Sequence, residues 1–265
     1  MQPMTNIAVR AARAAGKLLM QYYDRVESLT IADKSRNDFV TEVDRGAERE
    51  IIQILRRAYP NHAILAEESG EHNGNDYQWI IDPLDGTTNY LHGFPQFAIS
   101  IACTHKGELL SGVIYDPLKD EMFTADRGGG ARLNDRRLRV TSRKSLEGAL
   151  IGTGFPFRDQ RHLDTYTEMF KAMIKDTAGL RRPGSAALDL AYVAAGRLDG
   201  FWELGLSPWD FAAGALLVRE AGGKVSDLAG GTRFMETGNL IVGGLKVHGA
   251  MLSLLTPYLH EGLNA

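Results

Sequence analysis

One stretch constrains the fold more than any other: Trp79-Ile80-Ile81-Asp82-Pro83-Leu84-Asp85-Gly86-Thr87-Thr88. Three large apolar residues in a row read as a strand buried on both faces. The chain leaves that strand carrying two carboxylates separated only by proline and leucine. A turn needs one Asp and one Gly. A second acid so close repels the first and raises its pKa unless positive charge intervenes. No Lys or Arg adjoins the pair.

Further acids gather where strands end or helices begin: Glu67 and Glu68 in "LAEES", Glu203 in "FWEL", Asp210 in "SPWD", and Asp44 at the start of a helix. Strand ends form the rim of a sheet, where open α/β folds bind ligands. Each acid also has a purely structural reading. Thr41–Asp44 and Ser207–Asp210 fit capping boxes, where an acid favours the positive helix end. Asp85 fits an N-cap before Gly86, and Glu67 and Glu68 fit solvated positions. Taken together, a set of hard oxygens with no suitably spaced His or Cys suits Mg²⁺ or Mn²⁺ rather than zinc. Gly86-Thr87-Thr88 then opens a helical turn whose free N–H groups face an anion, and glycine lets that anion come close. Carboxylates for metals beside amides for phosphate suit metal-assisted ester hydrolysis, with one cation activating water and another neutralising the leaving alkoxide. "RRPGSAA" offers a second helix N-terminus, at Gly184, Ser185 and Ala186. There is no Walker sequence, so P-loop chemistry is not expected.

The patterning around these acids predicts a layered α/β protein. Helical spacing marks residues 4–24 (Ile7, Ala11, Ala14, Leu18, Tyr22) and 42–58 (Val43, Ala47, Ile51, Leu55, Ala58), the latter stopped by Pro60. From 62 to 125 come short β-rich runs, the last three an antiparallel meander. A glycine run and the basic stretch 132–144 follow, and a boundary near 142 divides an N-terminal half, 1–142, from a C-terminal half, 143–265. The second half alternates strands with helices at 160–175 (Leu163, Tyr166, Phe170, Ile174), 185–196, 207–222 and 247–259. Ser207 at the N-cap with Pro208 at N1 marks the third of these helices.

With 265 residues the chain can bury a sizeable core, and its net charge of −3 does not suggest a nucleic-acid or membrane partner. The one cysteine, Cys103, sits in "FAISIACTH" and reads as a core residue in a reducing compartment. No apolar run approaches the ~18 residues of a membrane span. A cytoplasmic location is the expectation.

"LAEES", "WIIDPLDGTTNYLHGFP" and "WDFAAGALLVREAGG" resemble, in order and spacing, the motifs of the inositol monophosphatase family. The resemblance covers nearly the whole chain. "RRPGSAALDLAYVAAGRLDGFWELGLSPWDFAAG" is most similar to its bacterial SuhB branch. The resemblance implies an αβαβα sandwich, a homodimer, lithium sensitivity and two or three Mg²⁺ per site. It implies that Glu67, Asp82, the Leu84 carbonyl and Thr87 hold or adjoin a first Mg²⁺. Asp82, Asp85 and Asp210 would hold a second, and Glu67 would help hold a third. Thr87, oriented by Asp44, would position the attacking water with Glu67, while Glu68 and Lys34 act from further out. Backbone at Gly86 and Thr87 would bind phosphate. Glu203 and the Gly184, Ser185, Ala186 segment would meet sugar or cyclitol hydroxyls. Two departures stand out: Asn134-Asp135 where relatives often carry Asn-Gly, and Pro183 before Gly184.

Two functions follow as expectations. The first is Mg²⁺-dependent hydrolysis of a small phosphorylated polyol, with myo-inositol 1-phosphate ahead of nucleotide 3′-phosphates and fructose 1,6-bisphosphate. The second, implied by the SuhB resemblance, is binding to transcription antitermination factors or RNA polymerase in ribosomal RNA synthesis. Its candidate surfaces are Arg132, Arg136, Arg137, Arg139, Arg143 and Lys144, or Arg181-Arg182. A solvated face explains such a charge run equally well.

Overall fold

The computed structural model describes residues 2–23, 25, 31–35, 38–156, 160–260 and 263, with no side-chain description for 31–41. The expected roles of Thr41 as a cap and of the Lys34 side chain lie outside the described residues. Among the described residues, fifteen strands and eight α-helices form five layers, αβαβα.

The outer layer is α1 (Pro3–Tyr23) and α2 (Glu42–Ala58), with a small hairpin, β1 (Ile31–Ser35) and β2 (Asp38–Thr41), between them in sequence. Beneath it lies an eight-stranded sheet built from β3 (His62–Ala66), β4 (Gly70–His72), β5 (Asn75–Asp85), β6 (Ala98–His105), β7 (Glu108–Asp116), β8 (Glu121–Asp126), β9 (Gly130–Leu133) and β10 (Arg136–Arg137). Its order is β10-β9-β8-β7-β6-β5-β3-β4, and only β3 and β5 run parallel. The meander expected after residue 97 is β6–β7–β8. The basic stretch is partly a β9–β10 hairpin, turned at Asn134 (φ 44°) and Asp135 (φ 69°). Both residue types tolerate the left-handed region better than most.

A second sheet, order β12-β11-β13-β15-β14, comprises β11 (Leu150–Thr153), β12 (Gly179–Arg181), β13 (Gly200–Glu203), β14 (Lys224–Ser226) and β15 (Leu240–Gly243). Between the sheets run α5 (Ala186–Ala194) and α6 (Pro208–Glu220). Outside the second sheet are α4 (Leu163–Asp176) and α8 (Leu245–Leu255). The short α3 (Thr87–Leu91) and α7 (Phe234–Thr237) sit in connections. Helices α5 and α6 are apolar almost all round because both sheets cover them, and their residues join Phe123, Phe201 and Val242 in one core.

The helical spacing placed two buried faces incorrectly. On α1 the buried line is Ala8, Ala11, Ala12, Ala15, Gly16 and Leu19, whereas Ile7 and Ala14 are half-buried and Tyr22 is exposed. Small residues let this helix approach the sheet closely. A Cβ on Gly16 would lie 2.6 Å from the Tyr115 ring. On α4 the core takes Tyr166, Met169, Ala172 and Met173, and Leu163 and Ile174 are left exposed. On α2, Val43, Ala47, Ile51 and Leu55 are buried but Ala58 is exposed at the helix end. Cys103 is buried, which pushes its thiol up to about 12, so it is no thiolate nucleophile.

Candidate active site

The decisive local feature is a bulge. Strand β5 pairs regularly with β6 from Tyr77 to Asp82 (opposite Ser100), then resumes at Asp85 opposite Ala98. Three steps on β5 therefore face two on β6. Side chains alternate along a strand, so Asp82 and Asp85 would otherwise point to opposite faces. The extra residue at Pro83–Leu84 returns them to one side. Pro83, which lacks an N–H, suits a point where the ladder is interrupted.

The third acid arrives on α6. Its N-terminus is fastened to the neighbouring strand by Ser100 Oγ donating to the Trp209 carbonyl, 3.0 Å. Because Ser100 lies opposite Asp82, the latch carries Asp210 to the same rim. Asp210 Oδ2 also accepts from Ser207 N at 2.7 Å, so it caps its own helix. Carboxylate oxygens of Asp82, Asp85 and Asp210 lie within 4.8 Å of one another. Glu67, at the end of β3, lines the same cleft. Its N–H donates to the Ile81 carbonyl, 3.1 Å, which keeps it level with Asp82.

The electrostatics of this trio are unfavourable without a cation. Burial pushes the Asp82 carboxyl well above the usual carboxylate range, and the charges of Glu67, Asp85 and Asp210 push it further. The Leu84 N–H, 3.0 Å from Asp82 Oδ1, acts in the opposite direction. Asp85 Oδ2 accepts from Ser185 Oγ (2.6 Å) and Ala187 N (2.7 Å), donors that are neutral. Clustered, part-desolvated carboxylates with only oxygen donors suit a hard divalent cation.

Phosphate-sized space adjoins the acids in a cleft of about 430 Å³. Gly86, with φ 98°, turns the chain into α3, whose first N–H groups have no partner within the helix. The Thr87 hydroxyl lies 3.1 Å from both Asp44 Oδ1 and the Leu84 carbonyl, so it donates to one of them at a time. Asp44, fully buried in the first turn of α2, is brought to it by the packing of α2 on β5. On the far wall, Ser185 caps α5, and Gly184 (φ 89°), Ser185 and Ala186 face the cleft. Asn89 joins the two walls through Nδ2, which donates to Gln96 O (2.7 Å) and Pro183 O (2.8 Å). Glu203 enters from the end of β13. Glu68 does not line the cleft. Its N–H donates to the buried Glu48 carboxylate (2.8 Å), which ties the β3 end to α2.

The sequence does not assign seven of the lining residues to the site: Asn89, His92, Thr153, Gly154, Arg182, Asp189 and Leu206. Asn89 and His92 lie inside the quoted "WIIDPLDGTTNYLHGFP" and Arg182 inside "RRPGSAA", so these three were findable. Nothing in the local pattern of Thr153, Gly154, Asp189 or Leu206 marks a cleft, because packing between distant segments brings them there.

Known proteins resemble this chain in sequence and in fold. A model of the inositol monophosphatase family matches residues 1–263. The Nus factor SuhB of Pseudomonas aeruginosa is 56% identical over 269 residues, covering 99% of both chains. Among solved structures, the extragenic suppressor protein suhB of Bartonella henselae superposes with a TM-score of 0.93 at 46% identity, over 96% of this chain and 98% of that one. The inositol monophosphatase of Anabaena gives 0.86 at 42%, over 96% and 95%. No described helix is long and apolar enough to cross a membrane. A family match along the whole chain, a shared αβαβα fold and an acidic cleft at the rim of the first sheet have one explanation: the chain belongs to the inositol monophosphatase family.

Proposed function

We propose that this chain hydrolyses small phosphate monoesters with Mg²⁺, myo-inositol 1-phosphate foremost among them. One observation carries the reading: Asp82, Asp85 and Asp210 converge within 4.8 Å beside the open end of α3. These three acids would hold cations, joined by Glu67 and the Leu84 carbonyl. Cations bound there lower the pKa of water and screen the ester's negative charge. The protein's own groups do the positioning. When the Thr87 hydroxyl donates to Asp44, its oxygen is left to accept a hydrogen bond from the attacking water, and the Glu67 carboxylate takes up the one proton that the water loses. N–H groups of Gly86 and Thr87 take the phosphoryl oxygens. Asp85 also fixes the α5 N-terminus through Ser185 and Ala187, so the wall that meets the alcohol is built onto a metal ligand. Glu203 accepts from hydroxyls of that alcohol, while Glu68 serves from outside the cleft.

A panel of inositol 1-phosphate, glycerol 2-phosphate, a nucleoside 3′-phosphate and fructose 1,6-bisphosphate, run with Mg²⁺, without it and with added Li⁺, tests the proposal. Mg²⁺-dependent turnover led by inositol 1-phosphate and suppressed by Li⁺ supports it. Absence of turnover on every ester with Mg²⁺ present refutes it.

A second reading, attachment to the transcription antitermination machinery, is favoured by the exposed Arg132, Arg136 and Arg137 on the β9–β10 edge of the first sheet and by the Nus factor name of the Pseudomonas relative. A pull-down with elongation complexes that is lost on reversing these charges supports it, and recovery of nothing by the unaltered chain refutes it. A homodimer is also proposed. The exposed Phe155, Leu163 and Ile174 on the α4 side would give it an apolar contact, and sedimentation measures its mass directly.

A further inference from the structure

Gly152 in β11 and Gly154, one residue past its end, are two bare positions on the side turned toward α5. A Cβ at Gly154 would lie 1.9 Å from Glu203 Oε1. A Cβ at Gly152 would lie 3.7 Å from the Asp189 carboxyl carbon. The parallel register that sets Gly152 beside Phe201 puts Glu203 level with Gly154. Two acids from different elements, Glu203 of β13 and Asp189 of α5, therefore rest on one glycine floor. Both line the cleft.

Asp189 is the anomalous member. It is only 2% exposed, and its Oδ1 has no hydrogen-bond partner among the described residues. Buried carboxyl oxygens are ordinarily satisfied, because leaving one bare has a substantial desolvation cost. Its place in the first turn of α5 is favoured by the helix dipole. That accounts for an acid at this position but not for an oxygen with no partner at the wall of a cleft.

We propose that Asp189 is a specificity-determining residue of the phosphatase site: its carboxyl hydrogen-bonds a hydroxyl of the ester's alcohol, next to one held by Glu203. The ligand class is a phosphate monoester whose alcohol carries neighbouring hydroxyls. Two carboxyl groups lining one cleft beside these glycines suit an alcohol with hydroxyls on adjacent carbons. Burial, with the charges of Glu203 and Asp85, pushes the Asp189 carboxyl well above the usual range, with Arg182 opposing. A neutral carboxyl both donates and accepts, so it can serve a hydroxyl whose own proton goes to Glu203. This inference rests on the phosphatase reading above.

The test compares kcat/KM for inositol 1-phosphate with kcat/KM for phenyl phosphate, which has no alcohol hydroxyls, in the full chain with Mg²⁺. In Asp189→Leu the inositol-to-phenyl ratio falls about tenfold or more, chiefly through KM for inositol 1-phosphate. In Asp189→Asn, whose amide also donates and accepts, the ratio stays within about threefold. A purely structural role would lower both substrates together and leave the ratio unmoved in Asp189→Leu, which overturns the proposal, as does a ratio lost equally in Asp189→Asn. If the leucine variant fails to fold, Asp189→Ala carries the same comparison. Failure of the unaltered chain to hydrolyse either ester removes the phosphatase reading and this inference with it. Turnover with an unmoved ratio removes Asp189 alone.

Discussion

Gly86 is the point where the metal-binding strand becomes the phosphate-binding turn, and replacing it with alanine perturbs both. Its φ of 98° lies in a region that residues with a Cβ rarely adopt, at a cost of about 1–2 kcal/mol. The new methyl would also stand 2.9 Å from the Gln96 carbonyl oxygen and 3.3 Å from that of Gly184. Both are backbone atoms, and neither swings away freely. Asn89 Nδ2 donates to the Gln96 carbonyl at 2.7 Å, so displacing that carbonyl also weakens a clamp worth about 0.5–1.5 kcal/mol. Together these place the loss in Gly86→Ala at about 2–3 kcal/mol. For a chain of this size the expected fall in Tm is about 5–10 °C. The protein remains folded, because native stabilities run to about 5–15 kcal/mol. Thermal unfolding checks the stability, and Mg²⁺-dependent kcat/KM checks the site. The variant should lose activity by more than tenfold, since the Thr87 N–H and hydroxyl are carried on the displaced turn. A variant with an unshifted Tm and full activity would refute the reasoning about both strain and site.

The remaining predictions concern separate parts of the molecule. His248 is buried in α8 beside Ser226 Oγ (2.8 Å), and burial, aided by Lys224, lowers its pKa from 6.5 to about 4. Between those values the unfolded chain binds a proton that the folded chain refuses. Stability therefore falls as pH drops from about 6.5 toward 4, by about 3 kcal/mol in all, and is retained above 6.5. Urea unfolding across that range should show this loss in the parent chain and a shallower slope in His248→Gln. Asn89→Ala removes the link from Gln96 to Pro183. It should cost about 1–3 kcal/mol and raise KM more than it lowers kcat, as measured by unfolding and steady-state kinetics.

Much of the site could be read from residue types alone. The carboxylates of "IIDPLDGT" and "SPWD" demanded a common purpose because nothing positive lay between Asp82 and Asp85, and Asp210 does join them. The layered fold was readable from strands alternating with helices, and the α6 start from Ser207 and Pro208. What escaped depends on tertiary contact. No local pattern shows that Pro83–Leu84 form a bulge rather than a turn, yet the bulge is what puts both acids on one side. The buried faces of α1 and α4 were misjudged because each helix carries apolar residues on more than one face. The choice between them is made by what lies opposite: Tyr115 against Gly16, and Trp202 in the core shared with Met169 and Met173. Asp189 looks like any acid in a first helical turn until β11 sets Gly152 beside it.

Titration calorimetry of Mg²⁺ into the metal-free chain, compared with Asp82→Asn and Asp210→Asn, addresses the trio itself. If these acids are a cation site, the unaltered chain binds Mg²⁺ and each variant weakens the tightest site by at least about tenfold while its unfolding transition stays cooperative. Identical isotherms for all three proteins would mean that the convergence of Asp82, Asp85 and Asp210 has nothing to do with metal.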